Sequence, residues 1–545
     1  MGGTDFLGLR IGHAPPGAMS GWLAARIRAA VRDGRLRPGD RLPASRTLAA
    51  DLQVSRGVVT ESYRRLLDDG VVVTRGPGGT VVAPSDAGWD RGPSAPIPAA
   101  APDAAAPGAR PAAGSGATAA GPGATAAGSG ATVAGSGATV AGSGATVAGS
   151  GATAGSGATV AGFGFDAPVG ADVFTALRTR PCRYDLSPGL PDLSAFPRAA
   201  WLRSERTALG GLSAPSLGYG DPAGAPPFRR AVAGWLARYR GITVDPDRIV
   251  IVAGVAQALA LLCRVLARRE LGDIAVEDPG SRGARQQLTD WGARTVPIPV
   301  DDQGLRVDRL AASGAPTVLV SPAHQFPMGV VLSGTRRREL ARWADAGGLI
   351  IEDDYDAEHR YDRPPVDAVK AARPDRTCYA GSVSKILAPA LRIGWLVPPA
   401  GLYAEVVAAK QQADLGSPVL AQLVLADLME SGQLEAHLRA VRRRQRRRRD
   451  AMIAGLRRHL PDATVHGAAA GLHLTVTFDE PRDRSMDDIT LATRALAAGV
   501  KVQPLSWHRV RPGPPGLVLG YAAASTGHIE EAMIALASVV GSRGR

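Results

Sequence analysis

Apolar positions near the N-terminus recur at helical spacing, and two short strand-like runs follow them. In the first predicted helix the apolar residues share one face: Leu23, Ile27, Ala30 and Val31. A second helix is expected from Ser45, which we expect to cap it, and a third over residues 56–69. Two valine-rich strands joined by Gly76-Pro-Gly-Gly79 then predict a hairpin. Three helices and a hairpin indicate a winged helix–turn–helix within residues 10–84.

Residues 85–165 show neither helical nor strand periodicity. The unit Ala-Gly-Ser-Gly-Ala-Thr-Val recurs with small variations from about residue 113 to residue 161. A seven-residue spacing suggests a coiled coil, but every unit contains glycine and the repeat lacks large apolar residues. We therefore predict a disordered linker of Ala, Gly, Ser and Thr, whose root-mean-square span would be about 50 Å.

Beyond residue 166, short apolar runs alternate with helical patterns. Two such runs, 349–351 and 377–380, are each followed by polar residues. This alternation predicts an α/β domain over residues 166–545. Alternating segments at 472–478 and 517–521 predict a small α+β subdomain at its C-terminal end.

Composition limits the choice of partners and of compartment. The chain has 545 residues, a net charge of +13 and an isoelectric point near 10.2, which favour several domains and a polyanionic partner. Cys182, Cys263 and Cys378 have no paired spacing, so we predict reduced thiols and no metal site. No apolar run is long enough to span a bilayer, and no signal peptide is evident. We expect a cytoplasmic protein that does not bind membranes.

One lysine lies among small and apolar residues in the stretch Tyr379-Ala-Gly-Ser-Val-Ser-Lys385. Poor solvation should lower the pKa of Lys385 and make its amine nucleophilic. The hydroxyls of Ser382 and Ser384 and the guanidinium of Arg392 would suit a phosphate group. A lysine beside a phosphate site is what a pyridoxal 5′-phosphate (PLP) Schiff base requires. Taken alone, the stretch could also be a surface lysine after a buried strand.

A second stretch, Leu349-Ile-Ile-Glu-Asp353-Asp354-Tyr355, is an apolar strand that ends in carboxylates. Open α/β sheets bind ligands at such strand ends, and a buried carboxylate there can keep a pyridine nitrogen protonated. An acidic loop is the alternative for this stretch alone. The order and spacing of the two stretches resemble the PLP-dependent fold-type-I aminotransferases. Within these, residues 180–540 resemble the aminotransferase-like half of MocR-type regulators.

This resemblance implies a PLP-dependent transferase fold of type I and assigns roles to several residues. Lys385 would form the Schiff base, and Tyr355 would donate to the ring hydroxyl. Asp353 would hold the pyridine nitrogen, although Asp354 could exchange roles with it because the sequence does not define the register. The remaining implied cofactor ligands bind phosphate: the amides of Val255 and Ala256, with Ser382, Ser384, Arg392 and Tyr219.

Tyr219 would reach the phosphate of the neighbouring subunit, which implies a homodimer. A buried turn tyrosine is the alternative. At two positions the chain departs from the resembled pattern. Ser281 stands where an aromatic residue usually stacks on the ring, and Val518 stands where aminotransferases place the arginine that binds the substrate carboxylate. Arg509 and Arg511 are nearby but out of register.

The sequence of residues 34–49 and 54–60 is similar to that of the GntR family of DNA-binding domains. This resemblance implies that the third helix enters the major groove while the wing approaches the minor groove. The predicted contacts with double-stranded operator DNA are Ser45, Arg46, Arg56, Gly57, Val58, Thr60, Gly78 and Gly79. Use of the winged helix for protein contacts alone is the alternative.

Two functions follow from these features. The first is a transcription regulator whose PLP-binding domain controls operator binding, with PLP or a PLP–amine adduct as effector and little or no turnover. The second is an active aminotransferase that carries a DNA-binding domain. An arginine-rich helix near 434–456 is predicted to expose a basic face, and a second DNA-facing surface is the alternative there.

Overall fold

The computed structural model describes residues 19–68, 71–74, 79–83, 180–361, 366–478 and 487–541. The predicted linker lies outside these residues. So do the wing-tip residue Gly78 and the predicted outer domain limits at residues 10, 84 and 166.

The N-terminal elements form the predicted three helices and hairpin. The helices are Met19–Arg32, Ser45–Asp51 and Arg56–Asp68, and the antiparallel strands are β1 (Val72–Thr74) and β2 (Thr80–Val82). Their apolar faces enclose a core of their own, in which Ile27, Leu48 and Leu66 are fully buried. The winged helix–turn–helix is therefore confirmed.

The expected cap at Ser45 is wrong. Ala44 is the N-cap of the second helix, Ser45 is its first residue, and no side chain caps it. The Ser45 hydroxyl instead accepts a hydrogen bond of 3.5 Å from Nε of Arg56 in the next helix.

The α/β domain is built on an eight-stranded mixed sheet of order β4-β11-β10-β9-β8-β5-β6-β7. Its strands are β4 (Val250–Val252), β5 (Asp273–Asp278), β6 (Arg294–Asp301), β7 (Gly304–Leu305), β8 (Thr317–Val320), β9 (Leu349–Asp354), β10 (Thr377–Ser382) and β11 (Gly394–Val397). The helices of this part are Arg198–Gly211, Pro226–Arg240, Val255–Ala267, Arg282–Asp290, Val307–Ser313, Gly334–Asp345, Val369–Ala372, Ala400–Asp414 and Val419–Glu430. The run β10-β9-β8-β5-β6 is parallel.

Alternate residues of the central strands enter cores on opposite faces of the sheet. Tyr379 joins a core with helices Pro226–Arg240 and Val419–Glu430, whereas its neighbours Cys378 and Ala380 join a core with helix Val255–Ala267. Coverage on both faces explains why these strands are continuous apolar runs. The predicted α/β architecture is confirmed.

The C-terminal part is a small α+β subdomain, as predicted. Its sheet has the order β12-β13-β16-β15, made of Thr464–His466, His473–Thr477, Gly516–Gly520 and Gln503–Pro504. A separate pair joins β14 (Val500–Lys501) to β3 (Tyr184–Asp185). The helices here are Gln433–His459, Asp488–Ala497 and Thr526–Gly541. Over the ranges that the structure describes, we find no helix with the length and apolarity needed to cross a bilayer.

Candidate cofactor site and nucleic-acid interface

The predicted cofactor residues converge because β9 and β10 are parallel neighbours. Asp353 lies opposite Ala380 in this pair, and Lys385 follows three residues after the end of β10. The carboxyl ends of both strands therefore bring the lysine and the carboxylates to one edge of the sheet.

The side chain of Lys385 is half-buried, and its amine points toward Gly189, near the start of the α/β domain. Its Nζ donates a hydrogen bond of 2.6 Å to the carbonyl oxygen of Gly189. Burial lowers the pKa of Lys385, and the carboxylates of Asp356 and Asp353 oppose that shift. Gly189 has φ +81°, and a Cβ there would lie 3.1 Å from Nζ. A larger residue at this position would therefore crowd the lysine amine, which glycine avoids.

Asp353 and Asp354 have different partners. Oδ2 of Asp354 accepts hydrogen bonds from the buried guanidinium of Arg240 and, at 2.5 Å, from the hydroxyl of Tyr379. Asp353 is half-buried, its Oδ1 is fully enclosed, and neither oxygen makes a hydrogen bond with a described residue. Burial raises the pKa of Asp353 to about 7, an effect that Asp354 and Asp356 increase and Lys385 reduces. A carboxylate left without a partner is available to a ligand.

Tyr355 belongs to a buried polar cluster that pattern reasoning only partly foresaw. Its hydroxyl lies 3.0 Å from Nδ1 of His324, and that nitrogen lies 2.9 Å from Oδ2 of Asp356. His473 lies close to the same ring, and one ligand atom each from His324, Asp356 and His473 falls within 4.8 Å of the others. Nδ1 of His324 thus lies within hydrogen-bond distance of two polar groups, Tyr355 and Asp356, whereas Nε2 of the same ring is buried without a hydrogen-bond partner among the described residues. Asp356 was missed although it continues the acidic run of β9.

Gly471 makes room for the His324 ring, and this can be tested. It has φ +83°, and a Cβ there would lie 1.9 Å from Cε1 of His324. We expect Gly471→Ala to lower the free energy of unfolding by about 2 kcal/mol, the scale of a strained backbone. Urea unfolding would measure it, with Gly527→Ala as control because a Cβ there meets nothing within 4 Å. Equal unfolding curves for the two variants would contradict this account.

The start of helix Val255–Ala267 lies beside the end of β10. Ser382 is opposite Gly394 on β11, and Gly394 is opposite Val252 at the end of β4. Arg392 donates a hydrogen bond of 2.6 Å to the carbonyl oxygen of Ala253. No side chain caps the helix, whose N-cap Gly254 has φ +82°. The free amides of a helix start and a guanidinium therefore share one location, as in anion sites.

Comparisons with known proteins support both halves of this description. Residues 21–82 match the gntR family of bacterial regulatory proteins, and residues 191–536 match aminotransferase class I and II. The chain is 29% identical to the probable rhizopine catabolism regulatory protein MocR of Rhizobium meliloti, over 95% of this chain and 92% of that protein. It is 28% identical to the pyridoxine biosynthesis transcriptional regulator PdxR of Corynebacterium glutamicum, over 92% and 91% of the two chains.

A solved structure extends the likeness to three dimensions. Kynurenine aminotransferase from Pyrococcus horikoshii superposes with a TM-score of 0.61 at 28% identity, over 68% of this chain and 93% of that one. The chain belongs to the aminotransferase class I and II family and, with its GntR domain, to the MocR-type transcription regulators. Its transferase fold of type I is thereby confirmed.

In this MocR-type regulator, the two residues that depart from the aminotransferase pattern, Ser281 and Val518, both have structural contacts. The Ser281 hydroxyl accepts a hydrogen bond of 3.2 Å from the amide of Ala284 and caps helix Arg282–Asp290. Val518 is buried in β16, between β13 and β15. Arg509 donates to the carbonyl oxygen of Pro514 at 2.5 Å. Val518 therefore supplies no cation at the position where aminotransferases have their carboxylate-binding arginine, and Arg509 is engaged elsewhere.

Tyr219 is one of the most exposed apolar residues of the regulator. Its exposed fraction is 92%, which rules out the alternative of a buried turn tyrosine. Leu217 and Leu415 are also exposed and line the same surface groove. Tyr219, Leu217 and Leu415 therefore present apolar side chains to solvent at one groove.

The predicted DNA contacts of the regulator lie mostly on its surface. Four are exposed, namely Arg46, Arg56, Gly57 and Thr60, whereas Ser45 and Val58 are half-buried. In the wing, Gly79 has φ +79°, and a Cβ there would lie 3.1 Å from Nε of Arg41. Arg41 is thus a further cation at the wing. It was missed because only the fold brings it to the hairpin.

Proposed function

We propose that this regulator binds PLP covalently at Lys385 and that the bound state controls its affinity for double-stranded operator DNA. The proposal depends mainly on one observation. The half-buried amine of Lys385 and the unpaired carboxylate of Asp353 lie at the edge of the sheet where the fold family binds its cofactor. In support, the Pyrococcus relative was solved in complex with PMP.

The residues present fit the cofactor. When bound, PLP would supply an aldehyde that reacts with a lysine amine, with loss of water, and a ring that accepts electrons. Asp353 would hold the ring nitrogen and Tyr355 the ring hydroxyl. The phosphate would be bound by the groups around the helix start: the amides of Val255 and Ala256, with Ser382, Ser384 and Arg392.

Sensing of PLP is favoured over amino-group transfer. A substrate carboxylate needs a cation, and Val518 cannot supply one. Ser281 cannot stack on a ring, because it has no aromatic side chain and its hydroxyl caps a helix. An active aminotransferase is the second candidate, supported by the intact Lys385, Asp353 and Tyr355. Efficient transfer of an amino group to a keto acid would favour that second candidate.

The regulator is proposed to act as a homodimer, in which Tyr219 reaches the phosphate site of the partner. The 92% exposure of this tyrosine and the exposed Leu217 and Leu415 support such an interface. PLP, or its adduct with an amine, would bind one arrangement of the dimer better than another and thereby shift operator affinity.

The deciding experiment is the visible absorption spectrum of the full chain with added PLP. We expect a visible band from the lysine adduct in the parent and its loss in Lys385→Ala. Lys385→Arg is the matched control, because it keeps the charge but cannot form the adduct. Borohydride reduction followed by peptide mass mapping should place PLP on Lys385, one of four lysines in the chain.

The same samples test control of DNA. Operator binding should change with PLP in the parent and remain unchanged in both lysine variants. A parent without the band, or an adduct on another lysine, would overturn the proposed site.

A further inference from the structure

The helix Gln433–His459, here called the basic helix, contains ten arginines, eight of which fall into two groups. The first group is paired. Arg444 and Arg448 bind Asp192 at 3.0 and 2.9 Å, Arg449 binds Asp450 at 2.8 Å, and Arg458 binds Glu530 at 2.9 Å. Each of these four arginines therefore has a carboxylate partner, and Arg444 and Arg448 share theirs.

The second group consists of Arg439, Arg442, Arg443 and Arg446. Their spacing of three, four and seven residues places them on one helical face. Of the carboxylates in the described ranges, none lies within ion-pair distance of any of the four. Like charges at this spacing repel, and so the arrangement destabilises the isolated helix. An anion that bridges the guanidinium groups would remove that cost.

These four arginines form one side of a pocket of about 270 Å³, and Arg360 and Tyr361 complete its lining. Arg442 is half-buried and donates a hydrogen bond of 2.5 Å to the carbonyl oxygen of Arg360. Burial lowers the pKa of Arg442. The hydroxyl of Tyr361 donates out of the pocket to the carbonyl oxygen of Gly471 at 2.6 Å. The polar groups that face the pocket are thus mainly guanidinium groups.

We propose that this pocket binds a phosphate-bearing polyanion. Several planar guanidinium groups that converge on one concave space match the many oxygens of adjacent phosphates, to which arginine binds in a bidentate manner. A monocarboxylate carries a single negative charge and would neutralise only one of the four arginines. The phosphates could belong to a free polyphosphate compound or to the backbone of DNA, and the chemistry of the pocket is the same for both. This site is separate from the proposed PLP site.

The test is titration of the full chain with inorganic tripolyphosphate by calorimetry at constant ionic strength. The pocket variant is Arg439→Gln with Arg443→Gln, since both residues are exposed and unpaired in the described structure. The control is Arg447→Gln with Arg457→Gln, which removes equal charge from exposed positions of the same helix outside the pocket. Unchanged circular dichroism melting would show that both variants fold.

We expect the pocket variant to bind tripolyphosphate at least about tenfold more weakly, since losing hydrogen bonds to charged groups costs this much. The control should bind nearly as the parent does. Any binding at the winged helix would persist in all three proteins. No saturable binding to the parent, or equal weakening in both variants, would overturn the proposal, because the helix would then act only through its total charge.

A second arm identifies the source of the phosphates. Non-operator DNA is titrated into the same three proteins, with and without tripolyphosphate. Weaker DNA binding by the pocket variant alone, with competition by tripolyphosphate, assigns the pocket to the DNA backbone. DNA binding that is equal in all three proteins assigns it to a free polyphosphate compound. Either result, with the expected loss of tripolyphosphate binding, supports a phosphate site.

Discussion

Asp354→Ala is expected to lower the free energy of unfolding by about 3 to 5 kcal/mol, the usual cost of leaving a buried charge unpaired. The guanidinium of Arg240 is completely buried, and Asp354 is the only acid that binds it within the described structure. Arg240 also donates to the carbonyl oxygen of Val366. That carbonyl cannot neutralise the charge.

Urea unfolding followed by circular dichroism would measure this change on the full chain. Asp273→Ala is the matched control, since Asp273 forms an exposed ion pair with Arg294. Exposed pairs contribute little, so the control should unfold nearly as the parent does. Similar curves for the two variants would mean that the Arg240 pair does not stabilise the fold.

Asp353→Asn should have opposite effects on stability and on PLP binding. The pKa of Asp353 is raised to about 7 in the folded chain, above its ordinary value of 3.8. The folded state therefore holds this proton more tightly, and the stability gained below pH 4 is lost as pH rises through about 7. Asparagine has no proton to lose. The cofactor-free variant should thus be more stable than the parent at pH 8.

The gain should be about 2 kcal/mol, because a tenfold change in proton affinity corresponds to about 1.4 kcal/mol and water that reaches the half-buried carboxylate reduces the total. Burial also raises the pKa of Glu277 to about 8. The stability of both proteins therefore has a further, similar pH dependence, which cancels in the comparison. Unfolding of both proteins at pH 5 and pH 8 would measure the difference. A gain of equal size at both pH values would contradict the titration of Asp353.

Binding should change in the other direction. Asparagine cannot supply the negative charge that keeps a pyridine nitrogen protonated, and so PLP affinity should fall about 10- to 100-fold. Titration of PLP followed by the visible band would measure this loss. A variant that is more stable without cofactor but binds it weakly would fit a carboxylate kept for function at a cost in stability. Unchanged PLP affinity would exclude Asp353 as the ring partner.

The sequence by itself determined the features that depend on local pattern. Helical spacing and a glycine-rich connection predict the winged helix, since its helices and hairpin are adjacent along the chain. Continuous apolar runs predict strands buried on both faces. The residues that follow such strands lie at the edge of the sheet where ligands bind. Lys385 and the pair Asp353 and Asp354 could therefore be predicted as site residues from the sequence.

Only the tertiary structure decided which partner each of these groups has. Asp354 is not available to a ligand as Asp353 is, because Arg240, 114 residues earlier in the sequence, donates a hydrogen bond to its carboxylate. Ser45 is not the cap because Ala44 occupies the N-cap position of the helix. Arg41 lies beside Gly79 of the wing only in the folded chain. Four arginines of the basic helix have carboxylate partners and four others line the pocket, because Asp192 and Glu530 approach only part of its surface. Partners so distant in sequence leave no periodic signal, and so packing alone distinguishes them.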